Sequence, residues 1–484
     1  MKTLTLEEVV TAVGGRPLGP PAVASVAAVS TDSRRVRAGE LFFALPGPQH
    51  DGHEFVDAAL SAGAVAAVVS DAGRVARRWQ ESGRLICVRE TVDALGRLAA
   101  YHRGQIAAQV IAVAGSNGKT TTKGLIEHVL RTRRRGRAAP RSFNNQIGVP
   151  LTLLSAEASD EFLVVEIGTN HPGEVAALAQ LARPDVGIVT SIGEEHLEFF
   201  GDLPRVADEE MSLLRGLRAR GFAVVPFEHR AHPAAQRDDL TIVTFGTESG
   251  ADLRASDIQW DGRAQRFIVN GRFEYALPVI GAHNVGNALA AAAVGLRFGL
   301  THEEIAAALA TAPIPPMRLE RQTCGSLTLI NDAYNANPAS MRAALATFEQ
   351  VSDGGRRVLI LGDMRELGEA AARYHAELGR AAGRSSAAVI VAVGAHARTV
   401  ADGATETAGP SKRIHWFPDL ERAGPGVERA LEPGDLVLMK GSRAVGLERL
   451  IPFVERAGRS PAVRPSQPRG KPALRRPESP LARQ

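Results

Sequence analysis

A strand, a glycine-rich turn and a helix follow one another directly between residues 110 and 130. The segment VIAVAGSNGKTTTKGLIEHVL starts with five apolar residues (110–114), and after its polar turn apolar residues return at helical spacing. Where a buried strand runs straight into a helix, free backbone N–H groups and the positive end of the helix dipole meet at the turn. The segment therefore predicts an α/β domain that binds an anion at this turn.

The residue types in this turn are those that bind the phosphates of a nucleotide. Glycines let the backbone wrap around an anion, Lys119 would neutralise the β and γ phosphates, and the hydroxyl of Thr120 or Thr121 would be a ligand of Mg²⁺. The predicted ATP-binding residues here are Gly115, Ser116, Asn117, Gly118, Lys119, Thr120 and Thr121. The standard motif has another glycine where this chain has Val113, so a glycine turn without a ligand is the alternative.

Alternating strand and helix patterns divide the chain into α/β regions. Its 484 residues have the length of roughly three domains. Residues 1–105 begin with a helix pattern at Leu6–Val13 and predict a small α/β domain; residues 106–312 predict a parallel sheet covered by helices; residues 313–456, which follow a proline-rich linker, predict a third α/β domain. Apolar strand segments are expected at 41–45, 64–70, 110–114, 162–168, 186–193, 222–227, 357–364, 387–394 and 435–442.

The net charge of +4 is concentrated at the C-terminal end. Residues 457–484 contain seven basic side chains, six prolines and one acid, Glu478, a charge of +6, so the charges of residues 1–456 sum to −2. A segment with almost no apolar periodicity cannot offset the entropy of ordering. We predict a disordered, basic, proline-rich tail that acts as a solubilising extension, and an arm that binds phosphates or a membrane surface is the alternative.

Composition excludes several classes of protein. With 44% hydrophobic and 23% charged residues the chain can bury a core, unlike a disordered polymer or a coiled coil. No apolar run approaches the roughly 20 residues that cross a bilayer, and the first residues lack the pattern of a signal peptide. Two cysteines, Cys87 and Cys324, exclude a disulfide framework and a cysteine-built zinc site. We therefore predict a cytoplasmic protein that does not insert into a membrane.

Two possible metal ligands lie at the ends of predicted strands. Glu166 ends the strand FLVVEIG, and His196 follows VGIVTSIGEE. Open parallel sheets place their ligands at the carboxyl ends of the strands, where ATP also brings a divalent cation. Glu166 and His196 are therefore predicted to hold metal, although a surface carboxylate and an ordinary loop histidine are the alternatives.

Seven further motifs occur in order along the chain. They are SFNNQIGVPLTLL (142–154), EIGTNHPGEVAAL (166–178), HLEFFGD (196–202), GAHNVGNALAA (281–291), NDAYNANPASM (331–341), LGDMRELGE (361–369) and KGSR (440–443). Together they resemble the Mur ligase family from about residue 30 to residue 450. The resemblance implies three α/β domains: a small N-terminal substrate domain, a central P-loop ATPase domain with a parallel sheet and a Rossmann-like C-terminal domain.

The resemblance also implies an activity. Members of the family are ATP-dependent amide ligases, and the NANP and HLEFFG forms are most similar to the member that adds D-alanyl-D-alanine to a UDP-N-acetylmuramoyl-tripeptide for peptidoglycan synthesis. ATP and two Mg²⁺ ions are the expected cofactors. The expected partners are these small molecules alone, with a monomeric protein, no nucleic acid and no membrane.

Positions that match the family motifs carry further expectations. Ser33 and Arg34 would contact the UDP part of the substrate. Asn144, Asn145 and Asn337 would bind substrate. Asn287 would contact adenine, Arg318 would reach the ATP phosphates from the C-terminal domain, and Asp332 and Asn335 would complete the ATP-binding set. Taken alone, the sequence TDSRR around Arg34 and the pair Asn144–Asn145 would be interpreted as turns.

The expected catalytic residues are Lys119, His196, Glu210 and Arg318. Thr120 and Glu166 would hold one Mg²⁺, and His196 with Glu210 would help to hold a second. Relatives commonly carry a lysine fourteen residues after the metal histidine, modified by carbon dioxide to a carbamate; fourteen residues after His196 this chain has Glu210. We hypothesise that Glu210 replaces the carbamate permanently. The alternatives are drift at a helix surface and use of the neighbouring Glu209.

Three rival functions stay open at this point. One is another amide ligase of the same family, which adds the third amino acid or glutamates to folate; the DNPR signature expected of the third-residue enzyme is absent from the sequence. The second is a nucleotide-binding scaffold without catalysis, and the third is nucleic-acid binding through the tail. Whether the acceptor tripeptide carries lysine or diaminopimelate is not determined by the sequence.

Overall fold

The computed structural model describes residues 1–20, 22–47, 49–351 and 355–459. Three α/β regions follow one another along this part of the chain, each with its own sheet. This confirms the α/β fold class with three regions that the sequence predicted.

The N-terminal region has a five-stranded sheet in the order Arg16–Leu18, Leu85–Cys87, Ala66–Val69, Glu40–Phe43 and Ala28–Ser30. All neighbours are parallel except the first pair. Leu4–Thr5 and Ser25–Val26 form a separate antiparallel pair. The α-helices are Leu6–Val13, Val56–Ser61, Arg77–Gln80 and Thr91–Arg103. The first helix has the predicted bounds because Thr5 and Glu8 form a capping box at its start and Gly14 ends it with a φ of +64°.

The central region is built on a nine-stranded sheet. Its order is Phe273–Leu277, Gln265–Val269, Leu253–Trp260, Thr241–Gly246, Phe222–Pro226, Val186–Val189, Gln109–Ala114, Phe162–Glu166 and Gly136–Ala138. The first two strands are antiparallel to their neighbours and the others are parallel. The α-helices are Lys119–Leu130, Gly148–Leu154, Glu174–Ala182, Leu197–Phe200, Leu203–Met211, His283–Arg297 and His302–Leu309. The parallel sheet was predicted, whereas its antiparallel edge was not.

Register places three strand ends of this sheet side by side. Glu166 pairs with Val113, and Val189 pairs with Ala114. Apart from Gln109 at the start of its strand, the residues of these three strands are buried because helices cover both faces of the sheet, so polar groups come together beyond the carboxyl ends. The turn at 115–118 therefore opens beside Glu166.

The C-terminal region has a six-stranded sheet. Its order is Glu320–Cys324, Leu327–Asp332, Leu436–Lys440, Arg357–Gly362, Val389–Val393 and Arg413–Phe417, and only the first pair is antiparallel. The α-helices are Pro338–Gln350, Ala371–Arg384, Ala397–Thr407, Leu420–Ala430 and Ile451–Arg459.

The last of these helices extends into the stretch predicted as a tail. It ends at Arg459, so residues 457–459 are helical rather than disordered; Ala457 is buried against the C-terminal core. The rest of the predicted tail, 460–484, lies outside the described residues. Within the described ranges, none of the helices combines the length and the apolar character that a membrane span requires.

Candidate active site

A cavity of about 690 Å³ lies at the carboxyl ends of the central strands, between the central and C-terminal regions. It is lined by predicted site residues from both regions: Ser116, Asn117, Gly118, Lys119, Thr120, Thr121, Asn144, Asn145, Glu166, His196, Asn287, Arg318, Asp332 and Asn335. The structure thus brings together most of the residues that the sequence analysis selected from distant segments.

Two glycines shape the turn in front of the helix Lys119–Leu130. Gly115 has a φ of +122°, and a Cβ there would lie 2.3 Å from Thr190 Oγ1. Gly118 has a φ of +87°, and its Cβ would lie 2.2 Å from Asn287 Oδ1. The turn can follow this path only without side chains at both positions. The first N–H groups of the helix, which have no partner within a helix, then face the cavity and can bind an anion.

The Lys119 side chain folds back onto the turn that precedes its helix. Its Nζ donates to the carbonyl oxygens of Gly115 and Ser116 and lies 3.9 Å from Glu195 Oε2. Burial lowers the pKa of Lys119, but the carboxylates of Glu195, Glu210 and Glu166 outweigh it, so the pKa is raised overall. Lys119 is therefore a cation at the wall of the cavity, next to the anion-binding turn.

The carboxylate of Glu166 is held by three side chains. The Thr120 hydroxyl lies 3.2 Å and 3.1 Å from its two oxygens, and Asn144 Nδ2 donates to Oε1 over 3.2 Å. Lys123, one helical turn after Thr120, places Nζ 3.0 Å from Oε2. The side chain of Lys123 is only 6% exposed and its Nζ also donates to the Arg141 carbonyl, so the ion pair is buried.

Thr120 and Glu166 fit one Mg²⁺ ion. Hydroxyl and carboxylate oxygens side by side at the cavity wall are hard ligands of the kind that Mg²⁺ prefers. No cluster of three or more His, Cys, Asp or Glu that could hold a metal occurs among the described residues. Because Mg²⁺ is commonly bound through one or two protein groups and substrate phosphates, the site fits an ion that arrives with a nucleotide.

Glu210 lies behind the turn and does not line the cavity. Its side chain is fully buried, and Oε2 accepts the Gly115 N–H at 2.6 Å. Burial raises the pKa of Glu210 well above its usual value, Lys119 opposes this shift and Glu195 adds to it. Glu210 therefore supports the turn from below, whereas His196 lines the cavity, and a second ion held by the two residues stays a prediction. The alternative ligand Glu209 is occupied too, because it accepts N–H groups of Gly173 and Val175.

His196 connects the central region with the C-terminal region. It lines the cavity, and its Nδ1 lies 2.5 Å from Oε2 of Glu366, in the loop after the strand Arg357–Gly362. Contact with His196 lowers the pKa of Glu366 more than burial raises it. Both residues have positive φ angles, +49° and +62°. Left-handed backbone at two meeting non-glycine residues is typical of strained functional segments.

The C-terminal region contributes a second cation to the phosphate end. Arg318 Nη2 donates to the Thr120 hydroxyl over 2.9 Å, and the guanidinium stacks 4.2 Å above the Tyr334 ring. The Tyr334 hydroxyl lies 2.5 Å from Ser142 Oγ of the central region. Arg318 thus reaches the anion-binding turn, and its contact with ATP phosphates stays a prediction.

Two further groups of buried polar side chains lie at the cavity, one on each region. Lys440 lies 2.7 Å from Asp332 Oδ2 and donates to the Asn335 carbonyl over 2.9 Å. Asn287 donates to Asn284 over 2.9 Å, and its Oδ1 accepts the Thr122 hydroxyl at 3.1 Å. These pairs leave little conformational freedom to the groups expected to contact the nucleoside.

Three predicted substrate residues are not among those that line the cavity. Asn337 is the N-cap of the helix Pro338–Gln350, and its amide pairs with that of Asn117 over 3.0 Å and 3.4 Å. Ser33 and Arg34 belong to the N-terminal region; Arg34 is 86% exposed and makes two 2.8 Å hydrogen bonds with Asp32. Arg34 is accessible to a ligand, but at a surface separate from the cavity.

Sequence reasoning missed four residues of the site: Lys123, Glu195, Glu366 and Lys440. Helical spacing carried a signal for Lys123, since positions 119, 120 and 123 share one side of a helix. For Lys440 the signal was its place at the end of a strand, where the parallel register sets it directly opposite Asp332. Glu366 meets His196 only through the packing of two regions, and no local pattern reveals such a contact.

Comparisons with known proteins agree with this geometry. Family models match at 25–103 (Mur ligase family, catalytic domain), 113–295 (Mur ligase middle domain) and 317–443 (Mur ligase, glutamate ligase domain). A UDP-N-acetylmuramoyl-tripeptide--D-alanyl-D-alanine ligase from Bacillus subtilis is 35% identical over 431 residues, 87% of this chain and 92% of the relative. The chain belongs to the Mur ligase family.

Further Mur ligases cover nearly its whole length. The Escherichia coli UDP-N-acetylmuramoyl-tripeptide--D-alanyl-D-alanine ligase is 32% identical, and the alignment covers 95% of this chain and all of the relative. A crystal structure of MurF from Acinetobacter baumannii matches with a TM-score of 0.85 and 31% identity over 94% of this Mur ligase and 99% of that chain. MurF from Thermotoga maritima, in complex with ADP, matches with a TM-score of 0.77 and 27% identity over 89% and 97% of the two chains.

Proposed function

We propose that this Mur ligase uses ATP to join D-alanyl-D-alanine to a UDP-N-acetylmuramoyl-tripeptide. Relatives with that printed activity align with almost the entire chain. The observation that carries the proposal is the contact between Arg318 and Thr120, because it brings a cation from the C-terminal region to the anion-binding turn of the central region. A ligase that uses ATP needs such a junction of two ligand-binding regions.

The proposed reaction has two steps. A carboxylate oxygen of the tripeptide attacks the γ-phosphorus of ATP, the bond from that phosphorus to the β–γ bridging oxygen breaks, and ADP leaves. The amine of the dipeptide then attacks the acyl phosphate carbon, loses a proton and displaces inorganic phosphate. No protein nucleophile takes part, so the protein positions the ligands and neutralises their charge.

Residues of the cavity supply these functions. Lys119 and Arg318 neutralise the transferred phosphate, and Asn287, Asp332 and Asn335 orient the nucleotide. Asn144 and Asn145 face the acceptor, while Ser33 and Arg34 bind the UDP end. Thr120 and Glu166 would hold Mg²⁺, which polarises the phosphate oxygens when it is bound. His196 stands at the acyl end of the cavity.

The product would be the last cytoplasmic precursor of peptidoglycan. The protein would then act in the cytoplasm, in cell-wall synthesis that supports cell shape and division, as a monomer with small-molecule partners only. The same fold serves different amide ligases, so the proposal depends on the dipeptide and not on the fold.

A product assay tests the proposal. The protein is incubated with ATP, Mg²⁺, D-alanyl-D-alanine and the UDP-muramoyl-tripeptide that ends in lysine or in diaminopimelate, and products are weighed by mass spectrometry alongside phosphate release. We expect a UDP-muramoyl-pentapeptide with one of the two acceptors. Ligation of a single amino acid or of glutamate, but not of the dipeptide, would contradict the proposal.

A further inference from the structure

Glu166 is the single carboxylate in the proposed Mg²⁺ pair, and it already has a cationic partner. Lys123 Nζ lies 3.0 Å from Glu166 Oε2, and both side chains are almost fully buried, at 6% and 2% exposure. A buried carboxylate and ammonium at this distance form a neutral pair. Glu166 therefore presents oxygen ligands to the cavity without a net negative charge behind them.

The surroundings add positive charge. Arg318 donates to the Thr120 hydroxyl, which itself donates to Glu166, and Lys119 is in the same turn of helix. Lys440 and Asp332 form another neutral pair across the cavity. A divalent cation that enters alone would meet Lys123 within a few ångströms, whereas a cation complexed with a triphosphate brings negative charge of its own.

We propose that Lys123 excludes free divalent cations from Glu166, so that the metal binds only as part of a metal–nucleotide complex. Lys123 is then a specificity-determining residue that acts through Glu166 and does not touch the substrate. This inference rests on the proposed ATP binding. It adds that the metal ion enters the site already complexed with the nucleotide and not as a free ion. It also explains why Lys123 lies behind the carboxylate and not in the cavity, where it would bind phosphate itself.

Binding of Mn²⁺, followed by the loss of its free-ion signal in electron paramagnetic resonance, tests the inference. For the wild-type protein we expect weak Mn²⁺ binding without nucleotide and strong binding once ADP or ATP is added. Lys123→Gln removes the charge but retains a hydrogen-bond donor toward Glu166 and Arg141. We expect this variant to bind Mn²⁺ without nucleotide at least about tenfold more tightly than the wild type.

Three further proteins control the experiment. In the double variant Lys123→Gln/Glu166→Gln the gained binding should disappear, which would locate it at Glu166. Arg103→Gln breaks a buried ion pair with Asp185 at the other end of the sheet and should leave Mn²⁺ binding unchanged. Lys123→Met repeats the test without a donor, in case the glutamine variant does not fold, and thermal melts confirm that each protein is folded.

Two results would overturn the inference: unchanged Mn²⁺ binding in folded Lys123→Gln or Lys123→Met, or nucleotide-free binding in the wild type as tight as with ATP. Failure of the proposed function looks different. If the proposed ATP binding fails, the wild type binds no nucleotide, and added ATP recruits no Mn²⁺ beyond what free ATP chelates, whatever residue 123 is; if only the proposed dipeptide specificity fails, the product assay shows it and Mn²⁺–nucleotide binding persists.

Discussion

His196 Nδ1 and Glu366 Oε2 lie 2.5 Å apart although they belong to different α/β regions. The backbone strengthens the same junction, because the Glu198 N–H donates to the Glu366 carbonyl over 3.2 Å. A carboxylate on one ring nitrogen of a histidine fixes the orientation of the ring and the basicity of the other nitrogen. His196 Nε2 therefore has its position set by the C-terminal region.

Glu366→Gln should slow the ligase without abolishing nucleotide binding. The contact pairs a charged carboxylate with the imidazole, and loss of such a contact costs about 1.5–3 kcal/mol, or about tenfold to a hundredfold in kcat. The KM for ATP should change little, since the Thr120–Arg318 contact is separate. Steady-state kinetics measure both. Glu369→Gln, at an exposed position three residues later, in the 3-10 helix that follows, is the control, and equal rates for both variants would disprove a role for Glu366.

Gly118→Ala should abolish ATP binding. Its Cβ would lie 2.2 Å from Asn287 Oδ1, at a φ of +87° that alanine rarely adopts, so the turn must move away from the helix start. Isothermal titration with ATP should show at least about a hundredfold loss of affinity, because several charge-assisted hydrogen bonds to the phosphates are lost.

Gly124→Ala is the matched control on the same helix. A Cβ at Gly124 meets nothing within 4 Å, and alanine is the better helix former. We expect unchanged ATP affinity and a gain of about 0.5–1 kcal/mol in unfolding free energy, measured by urea denaturation. If both variants bound ATP equally well, the turn would not be the phosphate site.

Removal of carbon dioxide should leave the rate unchanged. Residue 210 is a glutamate, which has no amine for carbon dioxide to modify, and its side chain accepts the Gly115 N–H as it is. Ligase rates are compared in degassed buffer and after addition of bicarbonate. A rate that depends on bicarbonate would contradict this prediction and would point to a carbamylated lysine elsewhere. Glu210→Lys, assayed in the same way, shows whether a lysine at this position makes the ligase rate depend on bicarbonate.

The parts of the fold and of the site that the sequence revealed are those with short-range signals. Apolar runs predicted the buried parallel strands, and the glycines with Lys119 and Thr120 predicted the anion-binding turn. Both predictions were possible because a parallel sheet and a phosphate-binding helix start each need a fixed local pattern. Residues far apart in sequence, such as Arg318 and Asp332, were reached only through the family resemblance.

What the sequence concealed depends on side-chain direction and on packing between regions. The spacing from His196 to Glu210 matched the family, yet the Glu210 side chain accepts the Gly115 N–H and is not among the residues that line the cavity. Asn337, whose contact with substrate stays a prediction, caps a helix, the usual place of an asparagine before a proline at a helix start, and the sequence did not reveal its pairing with Asn117. The antiparallel edge strands near Trp260 alternate polar and apolar residues, a weaker signal than a buried run.

Acid should destabilise this protein partly through His375. The residue is fully buried in the C-terminal region: Nε2 accepts the Met364 N–H at 3.0 Å, and Nδ1 lies 2.7 Å from the Ala371 carbonyl oxygen. Burial is the largest influence and lowers the pKa of His375; the hydrogen bond with the Ala371 carbonyl opposes it, the stacked ring of His396 lowers the pKa further, and the net shift is downward. The folded state therefore keeps this imidazole neutral.

The unfolded chain binds a proton at His375 near its ordinary pKa of about 6.5, whereas the folded protein does so only at lower pH. Stability from this residue is thus complete above about pH 6.5 and is lost as the pH falls toward the lowered pKa, by up to about 1.4 kcal/mol per pH unit. In His375→Gln the amide can still accept the Met364 N–H, so the fall in melting temperature between pH 7.5 and 5.5 should become smaller. His415→Gln, at a half-buried strand position, should keep the wild-type slope; identical slopes in all three proteins would show that folding does not lower the pKa of His375.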